Sequence, residues 1–320
     1  MRFDEEKEPS YLGWLFLISM ILQVLLSIFA SLLDQKGITF PVELALVVSE
    51  FTILAPTLVY ILAGNFRLKE DLGFRPVKIG TVIMSLVLVV FVTPIASFFN
   101  VLSQLFVSNT MVQVSDTLTE GSSVAVILLG SVYGPFCEEL TFRSVFAGRY
   151  EKYTGPMTAA VVSALYFALA HMNVNQALYA FALGWIFAVI NRAARSVYPS
   201  IIIHACINFG NLLMLFVTSF MYKKLGIDMD LAQSSEAARN SEVIYTMVAL
   251  FLVIAIVCTA IAIPCVVFIA KHEGGHEVLY EMFTKKHDKK KWLCFPAVLG
   301  IVLVLFVMFG LKPVLAAFGG

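Results

Sequence analysis

YLGWLFLISMILQVLLSIFASLL, residues 11–33, is a run without a charged residue near the start of the chain. The hydrocarbon core of a bilayer is about 30 Å thick, and about 20 apolar residues of helix cross it. Lipid offers no partner for backbone polar groups, so only helices and closed barrels span it. The run lacks the alternation of period two that a barrel strand shows. It therefore predicts a transmembrane helix.

Apolar runs of this kind recur along the whole chain. The nine candidate spans are residues 11–33, 41–63, 79–106, 122–148, 155–171, 176–190, 197–222, 243–270 and 292–318. The fifth and sixth are short for a full crossing. The fold class predicted from these runs is all-α, a polytopic transmembrane helical bundle with about eight or nine spans.

Composition agrees with a membrane protein and excludes some functions. Of the 320 residues, 59% are hydrophobic and 14% are charged, against about 25% charged in soluble domains. The net charge is +0, whereas nucleic-acid binding needs a basic face. We therefore expect a lipid bilayer as the surroundings and no nucleic acid as a partner. The five cysteines have spacings that match neither a zinc cluster nor a disulfide framework.

Lysines and arginines indicate the orientation, because they accumulate on the cytoplasmic side. With the amino terminus inside, most of them fall in cytoplasmic segments. These are Arg2, Lys7, Arg67, Lys69, Arg75, Lys78, Arg149, Lys152, Arg192, Arg195, Lys271, Lys285, Lys286, Lys289, Lys290 and Lys291. The outer loops then hold only Lys36, Lys223, Lys224 and Arg239. We predict an integral protein of the plasma membrane with a cytoplasmic amino terminus.

Three of the predicted spans contain polar motifs. They are CEELTFR at 137–143, FALAH at 167–171 and HACIN at 204–208. A charged side chain at the bilayer centre costs about 2.5 to 3.5 kcal/mol on insertion scales, so such a residue usually has a partner and a function. Taken singly, His171 could be an interfacial residue, and Asn208 could hold two helices together. Together, the three motifs favour an active site.

Helical spacing separates these residues into roles. Glu139 and Arg143 are four apart and can form an ion pair inside the membrane. Glu138 points elsewhere and lacks a partner on its own helix, which makes it the candidate general base. His204 and Asn208, also four apart, present two donors side by side, as an oxyanion requires. A histidine from another helix, His171, could complete a pair with Glu138 that activates water.

The motifs EExxxR, FxxxH and HxxxN, in this order on successive helices, resemble the CPBP family of CAAX proteases and bacteriocin-processing enzymes, also called ABI proteins. The resemblance implies the helical bundle of the type II CAAX endopeptidases, with Glu138 and His171 activating water and Glu139 and Arg143 positioning them. It also implies an oxyanion hole formed by His204 and Asn208. The domains would be amino-terminal helices in 1–121, a catalytic core in 122–222 and carboxyl-terminal helices in 223–320. Substrates would be prenylated CAAX peptides or leader peptides, and the residues do not choose between them.

A zinc site is an alternative location for the chemistry. His272, Glu273 and His276 formally satisfy the HExxH signature, which needs one helix to bring both histidines to a metal. Two central glycines disfavour that helix, and no third ligand is evident. We therefore expect no cofactor, with zinc as the less favoured alternative.

Two other classes of function compete with an intramembrane endopeptidase. Glu43 and Glu50 share a helical face and could be relay groups of a proton-coupled transporter. A non-catalytic bacteriocin-immunity or scaffold protein could keep the fold without the reaction. The intact set of polar motifs favours the peptidase, whose partner is a peptide or protein substrate.

The peptidase hypothesis has one geometric difficulty. On straight helices, Glu138 and His171 would lie at different depths, at 1.5 Å per residue. Their contact requires the turn at 153–156 to be buried in protein, where a non-helical backbone is tolerated at membrane depth.

Overall fold

A computed structural model describes residues 3–226, 241–285 and 292–310. All regular secondary structure within these ranges is helical. Seven helices are long and apolar enough to cross a membrane: α1 (Glu8–Asp34), α2 (Val42–Ala63), α3 (Ile79–Ser103), α4 (Ser123–Thr154), α6 (Val174–Ala194), α7 (Tyr198–Leu225) and α8 (Ser241–Glu273). Two shorter apolar helices are α5 (Pro156–Ala170) and α10 (Phe295–Gly310). The polar helix α9 (His276–Thr284) follows α8.

The nine apolar helices correspond to the nine predicted spans and confirm an all-α polytopic bundle in an integral membrane protein. Residues 311–318 of the ninth predicted span lie outside the described residues. Two short helices, Thr110–Gln113 and Ser115–Glu120, precede α4. The sixth span is longer than predicted, with 21 residues. The helix of the fourth predicted span continues six residues past 148, because the charged residues at its carboxyl end are paired. Arg149 binds Glu8, and Glu151 forms an ion pair with Arg192.

The turn between α4 and α5 is buried, as the hypothesis for the active site requires. All four residues from 153 to 156 are buried. Gly155 adopts a φ of 83°, which favours glycine, and Pro156 begins α5 without an unsatisfied N–H. The Thr154 hydroxyl donates a hydrogen bond to the Tyr150 carbonyl at 3.0 Å. The polar groups of this turn are therefore satisfied inside the protein.

Segments predicted to share the cytoplasmic side contact one another. The Lys78 N–H donates to Glu273 Oε1 at 2.8 Å, and the Ser196 hydroxyl donates to the Arg75 carbonyl at 2.6 Å. The helix α8 lies along α3, and α9 packs against α6. These contacts place the predicted cytoplasmic segments on one end of the bundle, which we call the basic end. Residues 286–291, which contain four of the predicted cytoplasmic lysines, lie outside the described residues.

A close contact between α5 and α6 supports a stability prediction. An ideal Cβ at Gly184 would lie 3.0 Å from Ala164 Cα, whereas one at Gly210 would meet no atom within 4 Å. Gly184→Leu should therefore destabilise the protein by about 1 to 3 kcal/mol through overpacking. Unfolding in mixed micelles measures the change, and Gly210→Leu is the matched control with a small effect. Equal losses in both variants would contradict the contact.

Candidate active site

The helix α4 carries the two adjacent glutamates at the point where an α-helical turn meets a wider, π-helical one. Residues Leu129–Tyr133 and Glu139–Ala147 are π-helical, and Gly134–Glu138 between them is α-helical. Pro135 lacks an N–H and its ring conflicts with the carbonyl four residues earlier, which explains a local departure from α-helix. Single π-helical turns often occur at functional sites. The wide turns also leave carbonyls that need other donors.

Asn208 supplies one of these donors. Its Nδ2 donates a hydrogen bond to the Gly130 carbonyl at 3.0 Å, inside the first π-helical turn. An amide nitrogen has two hydrogens, so one of them is used in this contact. Asn208 therefore joins α7 to α4, as expected for a residue that holds two helices together.

The predicted ion pair between Glu139 and Arg143 is confirmed. Arg143 Nε lies 3.3 Å from Glu139 Oε2, and both side chains are buried. The guanidinium carbon also lies 4.1 Å from the centroid of the Phe167 ring, in cation–π geometry. The pair and the ring together hold a charged side chain within the bundle.

His204 bridges the two glutamates. Its Nδ1 lies 3.0 Å from Glu139 Oε1, and its Nε2 lies 3.4 Å from Glu138 Oε2. Helical spacing groups His204 with Asn208 and does not predict these carboxylate contacts. The imidazole can donate to both carboxylates when it is protonated at both nitrogens. An imidazole ring is thus held between two carboxylates in a buried site.

His171 approaches the same site through Phe167. The Phe167 ring lies 4.9 Å from the His171 ring and 5.8 Å from the His204 ring, with near-perpendicular planes in both cases. His171 Nδ1 lies 2.8 Å from the Phe167 carbonyl. A carbonyl only accepts, so Nδ1 carries the proton, and Nε2 of the neutral ring remains an acceptor. His171 is therefore suited to accept a hydrogen bond from water.

The residues predicted for the site thus form two groups. Glu138, Glu139, Arg143 and His204 are joined by direct contacts, while His171 borders them across the Phe167 ring. Asn208 lies one turn along α7 from His204 and bonds α4.

Glu50 lies beside α4, near the catalytic motifs, a position that the sequence pattern does not indicate. Its Oε1 lies 3.5 Å from an ideal Cβ at Gly134, one turn before Glu138. Glu43 instead accepts a hydrogen bond from the Ser122 N–H at 2.7 Å and stabilises the amino end of α4. The two carboxylates named for a proton relay therefore have different surroundings.

The HExxH segment is not one helix. The helix α8 ends at Glu273, Gly274 adopts a φ of 71°, and α9 begins at His276. The two histidines therefore lie on different helices, without the geometry that the signature needs. Glu273 accepts hydrogen bonds from the Lys78 N–H and the Thr81 hydroxyl, at the amino end of α3.

A comparison with known protein families matches the segment that holds this site. Residues 120–210 match the family model described as type II CAAX prenyl endopeptidase Rce1-like. This segment is therefore similar to the type II CAAX prenyl endopeptidases, and it contains every residue of the candidate site on α4, α5 and α7. At the level of the family, this similarity indicates a membrane peptidase.

A curated relative supports the same family. The chain is 26% identical over 83 residues to the putative membrane peptidase YdiL of Bacillus subtilis (strain 168). That similarity covers 26% of this chain and 34% of the relative, so the two share about a third of the relative's length. No solved structure matches the chain.

Proposed function

We propose that the chain is an intramembrane endopeptidase that uses Glu138 and His171 to activate water. The observation that carries the proposal is the contact of His204 with Glu138 and Glu139 inside an apolar bundle. Buried ionisable groups that converge from different helices are expensive to maintain and usually mark a site of chemistry. The plasma membrane and a cytoplasmic amino terminus belong to the same proposal.

Each step of the proposed reaction uses one of these groups. A water hydrogen-bonded to His171 Nε2 gives a proton to the Glu138 carboxylate and attacks the scissile carbonyl carbon. Once Glu138 holds the proton, His204 Nε2–H can turn its hydrogen bond from that carboxyl group to the resulting oxyanion, and the second hydrogen of the Asn208 amide can donate to it as well. The C–N bond then breaks, and Glu138 gives its proton to the leaving amine. The first products are a carboxylic acid and an amine, and the acid then passes its proton to the amine to give a carboxylate and an ammonium group.

Glu139 and Arg143 are positioning residues in this scheme. Glu139 accepts from His204 Nδ1 and so sets the orientation of the imidazole, and Arg143 balances the charge of Glu139. The reaction as written needs no metal or other cofactor. Bulk water is excluded from the interior of the bundle, and the resulting low dielectric strengthens these interactions.

The substrate is a peptide or protein segment, either a CAAX-type carboxyl terminus or a leader peptide. Two fluorogenic peptides, one with a farnesylated CAAX end and one with a leader sequence, test these classes with purified protein. Cleavage of either supports the peptidase. Proton-linked transport in reconstituted vesicles without any cleavage would favour the transporter instead.

A separate measurement tests the location of the chemistry. We expect cleavage to be unchanged by EDTA and by His272→Ala, because His272 and His276 lie on different helices. Initial rates on the cleaved peptide measure both effects. Loss of activity on chelation and in His272→Ala would move the reaction to residues 272–276.

A further inference from the structure

A cavity of about 370 Å³ lies at the basic end, apart from the pair Glu138 and His204. The loop before α3, the second half of α4 and the carboxyl end of α6 form its walls, together with the start of α5 and part of α9. Five basic side chains line it: Arg75, Arg143, Lys152, Arg192 and Arg195. Its volume is within the range of small-ligand sites.

Two buried polar side chains on its wall have no hydrogen-bond partner among the described residues. They are Arg143, through Nη1 and Nη2, and Ser144, through its hydroxyl. Arg143 is 4% exposed and Ser144 is 3% exposed. Buried polar groups in native proteins are nearly always hydrogen-bonded, and leaving them unpaired is costly. Donors that line one cavity without a partner indicate a ligand rich in acceptor atoms.

The acidic side chains of the lining offset only part of its positive charge, because three of them, Glu70, Asp71 and Glu151, face the five basic side chains. Glu151 forms an ion pair with Arg192. Glu70 and Asp71 lie near Arg67, which is not part of the lining, at 3.7 and 3.5 Å.

The remaining guanidiniums leave donors for a ligand. Arg75 donates from Nε to the Lys69 carbonyl at 3.3 Å, which leaves its other N–H groups. No hydrogen bond or ion pair joins the Arg195 side chain to the described residues. The cavity therefore has a surplus of positive charge around unpaired donors.

We propose that this cavity binds a phosphate-type oxyanion, either the headgroup of an anionic phospholipid or a free phosphate. Guanidinium groups bind phosphate oxygens through paired hydrogen bonds, and the Ser144 hydroxyl supplies a further donor. Basic pockets between transmembrane helices at the level of the headgroups suit anionic lipids. The site adds a binding function that the peptidase reaction does not use.

Titration of the full-length protein in a neutral detergent with inorganic phosphate, at constant ionic strength, tests the site by calorimetry. The double variant Arg75→Gln, Arg195→Gln should weaken phosphate binding about tenfold or more, because the loss of one hydrogen bond to a charged group is enough to raise Kd by about that factor. Ser144→Ala should also weaken binding while it leaves the fold intact. Arg67→Gln is the matched control, because it removes a nearby charge outside the lining, and its affinity should equal that of the unchanged protein.

A second arm identifies the source of the phosphate. Native mass spectrometry of protein from nanodiscs with phosphatidylglycerol should show retained lipid that the double variant loses, and phosphatidylcholine nanodiscs give the comparison. Retention of this lipid assigns a headgroup, and binding of inorganic phosphate alone assigns a free phosphate. Three results would overturn the proposal: no saturable binding of either probe, equal weakening by Arg67→Gln, or binding of a peptide carboxyl terminus without phosphate.

Discussion

Glu138→Gln should lower peptide cleavage about a thousandfold while the protein stays folded. Glutamine has nearly the same shape and can still contact His204, but it cannot accept the proton of the attacking water. Loss of a general base typically costs 10² to 10⁴ in rate. Steady-state kcat/KM on the cleaved peptide measures the effect, and thermal unfolding in detergent checks the fold.

The matched control for this variant is Glu43→Gln, which removes a carboxylate from the amino end of α4. Glu43 bonds the Ser122 N–H and makes no contact with the proposed reaction. Cleavage should therefore stay within about twofold of the unchanged protein, with a small loss of stability from the weakened helix end. Full activity in Glu138→Gln would remove Glu138 from the mechanism.

Glu8→Ala should lower the free energy of unfolding by about 3 to 5 kcal/mol, since it leaves a buried charge without its partner. Arg149 donates to Glu8 from Nε at 2.6 Å and from Nη2 at 2.8 Å. Tyr60 and Tyr153 donate their hydroxyls to the same carboxylate, each at 2.6 Å. Denaturant titration in mixed micelles measures the loss.

Two comparisons make this prediction specific. Glu5 is exposed and lies just before α1, so Glu5→Ala should change stability by less than about 0.5 kcal/mol. The double variant Glu8→Leu, Arg149→Met removes both charges and should recover part of the loss. If Glu8→Ala were as stable as Glu5→Ala, the contacts of Glu8 would not stabilise the protein as proposed.

The spans and the polar motifs were predictable because lipid imposes strict rules. A charge within an apolar run needs a partner, and the confirmed contact of Glu139 with Arg143 follows from their spacing on one helix. The nine apolar helices follow from the length of each run. These features depend on local sequence alone.

The partner of His204 was not predictable from spacing. Helical periodicity says which face of α7 His204 occupies, but not which neighbouring helix meets that face. Asn208 shares the face, yet it bonds Gly130 in a π-helical turn that no periodicity indicates. Pro135 was the available signal, because a proline within a helix disturbs the backbone one turn earlier.

The buried network of Glu8 was also not predictable. Glu5, Glu6 and Glu8 are similar in sequence, and all precede the first apolar run. Only Glu8 is 1% exposed, because Arg149 from the end of α4 reaches it. A contact between residues so far apart depends on how α1 packs against α4, which the sequence motifs do not specify.

The distance along the chain between Glu8 and Arg149 affects biosynthesis. The two residues are 141 positions apart, and at 5 to 20 residues per second the ribosome needs roughly 7 to 28 s to make that length. The helix α1 therefore enters the membrane before Arg149 has been synthesised. The charged residues that flank α1 must orient it without this partner. A chain that lacks Arg149 should insert normally and be lost later, when quality-control proteases remove completed but loosely assembled molecules.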